Sequence, residues 1–167
     1  MKKKKLCALL GLILLAVLAF GWHQRNSRPQ TLESLFPDFP WDDFQGVSGS
    51  WMEYVPRRDE PGMLTTENGS TALIPNDDPG ARAIIDRLLA QTFEPIAGAP
   101  AEYLPVQEGD FMAELRFEHG AQLVRLCYRF GELTVSQGDT EYFCAYTGHE
   151  ETARAVFDWL KAQAAAK

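Results

Sequence analysis

Histidines and cysteines are among the side chains of this chain that could hold a metal ion or take part in acid–base chemistry. The three histidines, His23, His119 and His149, lie far apart, and only the last is followed by a pair of acids, Glu150 and Glu151. A metal site needs convergent ligands, and no second cysteine or histidine lies within four positions of Cys127 or Cys144. We therefore expect no metal site and no cofactor.

Nucleophile motifs are also missing from the sequence. Ser50 follows Gly49 but has no glycine after it at the spacing of a nucleophile elbow, and there is neither a glycine-rich phosphate loop nor a His-Glu-x-x-His motif. The paired acids fall in loops or at helix starts, where acids are ordinary turn and capping residues: Asp42-Asp43, Asp59-Glu60, Asp77-Asp78 and Glu150-Glu151. The sequence thus favours a protein that is not an enzyme. An enzyme with a site built from scattered residues, or an inhibitor-like module, is the alternative.

Three arginines and a leucine are the candidate ligand-binding residues: Arg116, Arg125, Arg129 and Leu123. We expect them on one face of a sheet, where they could form a groove for an anionic ligand. The alternative is a solvated face in which Glu114 and Glu132 neutralise two of the three arginines.

The strands that position these residues lie between residues 111 and 146, where alternating apolar positions predict a four-stranded antiparallel meander. The predicted turns are His119-Gly120, Phe130-Gly131 and Gly138-Asp139, because glycine tolerates the positive φ of two-residue hairpin loops. The expected cross-strand pairs are Leu115–Val124 and Glu114–Arg125 in the first hairpin, and Tyr128–Leu133 and Arg129–Glu132 in the second.

The same meander predicts that the two domain cysteines stay reduced. Cys127 falls on its second strand and Cys144 on its fourth, so the two lie about 9.6 Å apart. A disulfide needs Cα atoms within about 7 Å. The registers also place the two side chains on opposite faces of the sheet. We expect two free thiols.

Two similar segments, at residues 81–91 and 153–163, predict helices and suggest an internal repeat; the alternative is a chance match between two alanine-rich helices. Both carry an amphipathic pattern, and Asp78 with Pro79 can begin the first, while Thr147 and Glu150 can form a capping box for the second. The regions that precede the helices predict three strands each, at 47–55, 63–67 and 70–74 in the first unit, with a hairpin at Asn68-Gly69. The residues from 92 to 110 join the two units and hold at most one short strand, near 101–104.

The expected fold is therefore α+β. A single antiparallel sheet of six to seven strands, arranged as two βββα units with an added strand at residue 111, carries both helices on one face. The opposite face should be largely open to solvent.

An aromatic segment precedes this domain. Prolines at 37 and 40 interrupt any regular period between Thr31 and Phe44. Its aromatic side chains either pack on the domain or serve as a partner-docking site, for which the candidates are Phe36, Phe39 and Trp41.

The amino-terminal segment predicts membrane attachment. Lys2 to Lys5 precede an uncharged apolar run, 6–22, and the lysines keep that end in the cytoplasm. We expect a helix over 1–22 that stays as an anchor, a stalk and aromatic segment over 23–45, and an extracytoplasmic domain over 46–167. The alternative is a secreted protein, with cleavage of a signal peptide after Ala19 or Gly21.

Charge limits the choice of partner. The chain has a net charge of -7, which becomes -11 when the four amino-terminal lysines are set aside. Such a domain is a poor match for nucleic acid. We expect a binding partner in the cell envelope, either a protein or a wall polymer.

The lysine cluster MKKKK, the leucine-rich run and the compact α+β domain resemble small membrane-anchored extracytoplasmic proteins of Gram-positive bacteria. The resemblance implies a location outside the cytoplasmic membrane. It brings no functional residues with it.

Overall fold

A computed structural model describes residues 28–98 and 105–166 of the chain. The elements follow the order α1 (Leu32–Leu35), β1 (Gly46–Pro56), β2 (Leu64–Pro75), α2 (Pro79–Leu89), β3 (Phe111–His119), β4 (Gln122–Arg129), β5 (Glu132–Gln137), β6 (Thr140–Cys144) and α3 (Glu150–Ala165). The six strands form one antiparallel sheet in the order β2-β1-β3-β4-β5-β6. The α+β class and the single sheet are confirmed.

The second and third hairpins of the meander have the predicted registers. Tyr128 pairs with Leu133 and Arg129 with Glu132, and the third hairpin turns at Gly138-Asp139. At the second turn Phe130 and Gly131 have φ angles of 48° and 83°, which are the two positive values that this type of tight loop requires.

The first hairpin has a different register from the one that we predicted. It turns at Gly120 and Ala121, so Leu115 pairs with Leu126 and Glu114 with Cys127. The predicted pairs were wrong by two residues. Because side chains alternate with a period of two, this shift leaves every residue on its predicted face.

The hairpin predicted at Asn68-Gly69 is also wrong. Strand β2 runs without interruption through both residues, and the chain turns earlier, between Pro56 and Leu64. The reason is steric, since Gly69 lies opposite Trp51 and leaves room for its indole ring. The first unit is therefore ββα, and the predicted pair of βββα units is not found.

The two long helices begin as their sequences allow. The Asp78 side chain accepts hydrogen bonds from the amides of Gly80 and Ala81, each over 2.9 Å, as predicted. The predicted capping box of α3 is not formed, because its N-cap is His149, and the Glu150 carboxylate accepts from the amide of Gly148 instead.

Both long helices pack their predicted apolar sides into the core. On α2 the buried residues are Ala81, Ile84, Ile85 and Leu88, and on α3 they include Ala153, Val156, Phe157 and Leu160. The sheet contributes the alternate residues Leu115, Val124, Leu126 and Val135, all fully buried. Helices therefore cover one face of the sheet, and the burial of this apolar face stabilises the fold.

The aromatic segment belongs to the same core. The Trp41 ring lies 5.3 Å from that of Phe117, and the Phe44 ring lies 5.6 Å from it. The Trp41 indole Nε1 donates a 2.9 Å hydrogen bond to the carbonyl of Phe36. This packing confirms the first of the two alternatives for the segment.

The predicted amino-terminal helix, 1–22, and the predicted strand near 101–104 lie outside the described residues. Within the ranges that are described, no helix has both the length and the hydropathy to cross a membrane.

Candidate functional site

The face of the sheet opposite the helices, which we call the open face, carries the candidate ligand residues. In the part of the chain that the structure describes, no helix packs on it. Its side chains alternate with the buried ones along β3 and β4, and they are half-buried or exposed. The open face therefore offers a broad polar surface to solvent.

Arg116 and Arg125 lie directly opposite each other on this face, in the ladder between β3 and β4. Like charges in this arrangement repel, so the pair needs an anion. Glu114 supplies it, and its Oε1 accepts from Nε of Arg116 over 2.6 Å and lies 3.6 Å from Nε of Arg125. The one carboxylate of Glu114 thus contacts both guanidinium groups. Among the described residues the next acid of this face, Glu118, lines the same depression as the two arginines but forms no ion pair within 4 Å with either of them.

Glu114 is less exposed to solvent than Arg116 and Arg125, and this difference matters for binding. The Glu114 side chain is 16% exposed, whereas Arg116 and Arg125 are 40% and 49% exposed. The carboxylate is fixed beneath the arginines, and the outer edges of both guanidinium groups remain free to meet a second anion.

Two depressions lie on either side of Leu123 and Arg125. One, of about 390 Å³, also reaches Ser136 and Gln137, and the other, of about 490 Å³, reaches Arg116 and Glu118. Three of the four predicted ligand residues are therefore brought together, with Leu123 as an apolar contact between the two depressions.

Arg129, the fourth predicted residue, lies elsewhere. It is four residues further along β4, which places it about 13 Å from Arg125. Its guanidinium carbon lies 5.7 Å from the centre of the Phe130 ring, and that ring lies 5.6 Å from the ring of Tyr54. Among the described residues no carboxylate lies within 4 Å of Arg129, so Glu132 does not neutralise it as expected.

Ser48 is a residue of the open face that sequence reasoning missed. It is 7% exposed and its hydroxyl donates to Oε1 of Glu118. This contact holds one acid of the face in place, beside the depression that Arg116 lines. The sequence does contain a signal for Ser48. This serine follows the apolar Val47 in a predicted strand, and this alternation places its hydroxyl on the open face.

Cys127 lies on the open face between the arginines, but its thiol is not activated. Burial, together with the charge of Glu114, raises the pKa of Cys127 to about 11. Burial also raises the pKa of Cys144 to about 12. Both cysteines are free, as predicted, because β5 separates their strands.

His149 occupies a second candidate site, at the start of α3. Its ring is 6% exposed and stacks on Phe93 with 5.1 Å between centroids, and Nδ1 lies 3.1 Å from Oε1 of Gln91. The Gln91 amide donates to the hydroxyl of Thr152 over 2.5 Å. Burial lowers the pKa of His149, although Glu150 opposes this effect. The network joins the end of α2 to the start of α3.

A cavity of about 420 Å³ lies beside this histidine, lined also by Thr92, Glu94 and Thr147. The partner of the imidazole is an amide rather than a carboxylate or a nucleophile, which is the arrangement of a structural histidine. Within residues 28–98 and 105–166, no cluster of histidine, cysteine and acidic side chains could hold a metal ion.

The candidate docking residues of the aromatic segment lie in the interior. Phe36, Phe39 and Trp41 are 3%, 2% and 9% exposed. A shallow depression of about 430 Å³ remains beside Pro37, Pro40 and the edges of two of these rings. Partner docking at this segment stays a prediction, and only that outer edge is accessible for it.

No protein-family model matches this chain, and no match is found among curated proteins or among solved structures.

Proposed function

We propose that the chain is a non-enzymatic binding module of the cell envelope, which holds an anionic group of its ligand at Arg116 and Arg125. The observation that carries this proposal is the arginine pair on the open face, where two directly opposed guanidinium groups share the single carboxylate of Glu114.

A ligand anion would give this pair a second contact, since only the carboxylate of Glu114 lies within 4 Å of the two arginines among the described residues. Guanidinium groups bind carboxylates and phosphates through two parallel hydrogen bonds, and such charge-assisted bonds are about twice as strong as neutral ones. Leu123 offers apolar contact beside the charged groups, and the depressions on either side leave room for a ligand. The ligand class is therefore a carboxylate or a phosphate borne by an envelope protein or a wall polymer.

Binding is tested by calorimetry on the full chain in a mild detergent. The probes are a short glutamate-rich peptide and inorganic phosphate, which distinguish the two anions. Arg125→Gln should weaken binding of the preferred probe at least tenfold. Arg82→Gln is the matched control, because Arg82 forms an exposed pair with Asp86 on α2 and lies on the other side of the sheet. Equal binding by Arg125→Gln and wild type, or binding of neither probe, would contradict the proposal.

The proposed location is the outer surface of the cytoplasmic membrane, with the segment 1–22 as a single-pass anchor and the amino terminus inside. The support is the cluster Lys2 to Lys5 before an uncharged run. Protease added to intact cells should degrade the domain. A domain that survives in intact cells and is lost only after lysis would exclude this location, and a mature chain that begins near residue 20 would favour the secreted alternative.

An enzyme remains the alternative function, and the buried His149 beside a cavity is the observation that favours it. A hydrolytic activity that is lost in His149→Gln, with an unchanged melting temperature, would support the enzyme over the binding module.

A further inference from the structure

The two edges of the sheet differ in how they are protected. At one edge β6 has five residues, and the chain covers its end, where the Ile96 amide donates to the carbonyl of Phe143 over 2.8 Å and the Ala145 amide to that of Glu94 over 2.9 Å. At the other edge β2 has twelve residues and pairs only with β1, and no other segment of the described chain pairs with its outer side.

Strand β2 also lacks most of the features that keep an edge from pairing with another chain. Natural edge strands are short, bulged, or carry lysine or proline. In β2, Glu67 is the single charged residue, and the one proline, Pro75, is at the end. A register shift opposite Val47 and Gly49 disturbs the strand only after Thr71, so residues 64–71 remain regular.

We propose that β2 pairs with β2 of a second copy, antiparallel, about a twofold axis at Asn68. A twofold axis perpendicular to the sheet keeps the helices of both copies on the same face and makes one continuous sheet of twelve strands. Residues that face each other across the two copies of β2 must have their side chains on the same side of the sheet. Because side chains alternate along a strand, the axis has to lie at a residue position, since an axis midway between two residues would pair side chains from opposite sides.

The sequence of β2 selects the position of that axis. An axis at Glu67 would place two carboxylates directly opposite each other, which is unfavourable. An axis at Asn68 places Thr66 opposite Ser70 and Thr65 opposite Thr71 of the other copy, and such hydroxyl pairs stabilise antiparallel sheets. It also centres the contact on the regular part of the strand.

The charge of Glu67 is accommodated in this arrangement. Its carboxylate lies 3.9 Å from Nζ of Lys161, and it faces Gly69 of the other copy, which has no side chain. The net negative charge of the domain opposes association, but screening at physiological salt limits this repulsion to within about 8 Å.

Sedimentation of the full chain in a mild detergent tests the proposal, with the dimer expected at micromolar concentrations. Thr66→Lys with Ser70→Lys places lysine opposite lysine twice, and this double variant should sediment as a monomer that keeps the circular dichroism spectrum of the wild type. Thr140→Lys with Glu141→Gln makes the same change of charge at the opposite edge and should remain a dimer. A monomeric wild type, or a double variant that stays dimeric, would overturn the proposal.

A cysteine at the axis gives a second and independent readout. Asn68→Cys faces itself in the other copy at a distance that a disulfide can span. Under mild oxidation this variant should form a covalent dimer far faster than Thr140→Cys, which is exposed on β6, with the native cysteines present equally in both. Equal rates for the two variants would exclude pairing at Asn68.

Discussion

Gly69 lies directly opposite Trp51 in the ladder between β1 and β2, and the indole ring occupies the space that a side chain at 69 would need. A Cβ atom on residue 69 would come within 2.7 Å of the indole Nε1. The Trp51 side chain is 8% exposed and its ring lies 5.8 Å from that of Phe157, so it cannot easily move away.

Gly69→Ala should therefore destabilise the protein by about 1–3 kcal/mol, the usual cost of overpacking a core. Urea unfolding of the variant measures this loss. Ser70→Ala, at the exposed neighbouring position, is the control and should change stability by less than about 0.5 kcal/mol. Equal stability of the two variants would mean that the indole does not fill the site.

Adjacent residues of β4 should respond in opposite ways to an added negative charge. Val124 is fully buried beneath the helices, so Val124→Asp should unfold the domain, because it places an unpaired carboxylate in the core. Arg125 is half-exposed, and Arg125→Glu should cost only about 0.2–1 kcal/mol. Thermal unfolding compares the two, and similar melting temperatures would show that the faces of β4 are assigned wrongly.

The stability of the domain should fall below pH 6.5 because of His149. Burial lowers the pKa of its imidazole below the ordinary value of 6.5, so the unfolded chain binds the proton more readily than the folded chain. Above pH 6.5 the neutral imidazole of His149 makes its full contribution to stability. This contribution is lost as the pH falls from 6.5 toward the lowered pKa of the imidazole in the folded protein.

His149→Gln should remove this part of the pH dependence, as measured by unfolding between pH 5 and 7.5. His119→Gln, which removes an imidazole from the end of β3, serves as the control. A His149→Gln variant with the wild-type pH profile would show that the buried imidazole is not the group that titrates.

Thiol labelling should find both domain cysteines free and slow to react. The pKa of Cys127 is about 11 and that of Cys144 about 12, so neither forms much thiolate at pH 8. In the folded protein Cys127, which is partly accessible, should react faster than the buried Cys144.

Unreduced full chain in denaturant should take up three alkyl groups, one of them at Cys7. Uptake of one group only would reveal a disulfide and contradict the strand order β4-β5-β6, and mass spectrometry distinguishes these results.

The sequence by itself determined the class of fold, the meander and which residues lie on which face. Apolar and polar residues alternate along β3, β4 and β5, and apolar residues recur with the helical period in α2 and α3. These patterns carry the information, because one face must be buried whichever register the strands adopt. The placement of Arg116 and Arg125 on one face was predicted from the same alternation, since both fall at polar positions of neighbouring strands.

Only the tertiary structure decided the details that depend on contacts between distant segments. The first hairpin shifted by two residues, which brought Arg125 opposite Arg116 instead of Glu114. Local turn signals could not reveal this, because both registers bury the same side chains.

The path of β2 through Asn68-Gly69 has the same explanation. An Asn-Gly pair predicts a turn when it is considered alone, but here the glycine accommodates Trp51 from a strand that lies eighteen positions earlier. Tertiary packing outweighs a local turn preference at this position, since it buries a large aromatic side chain, which is worth more than the turn.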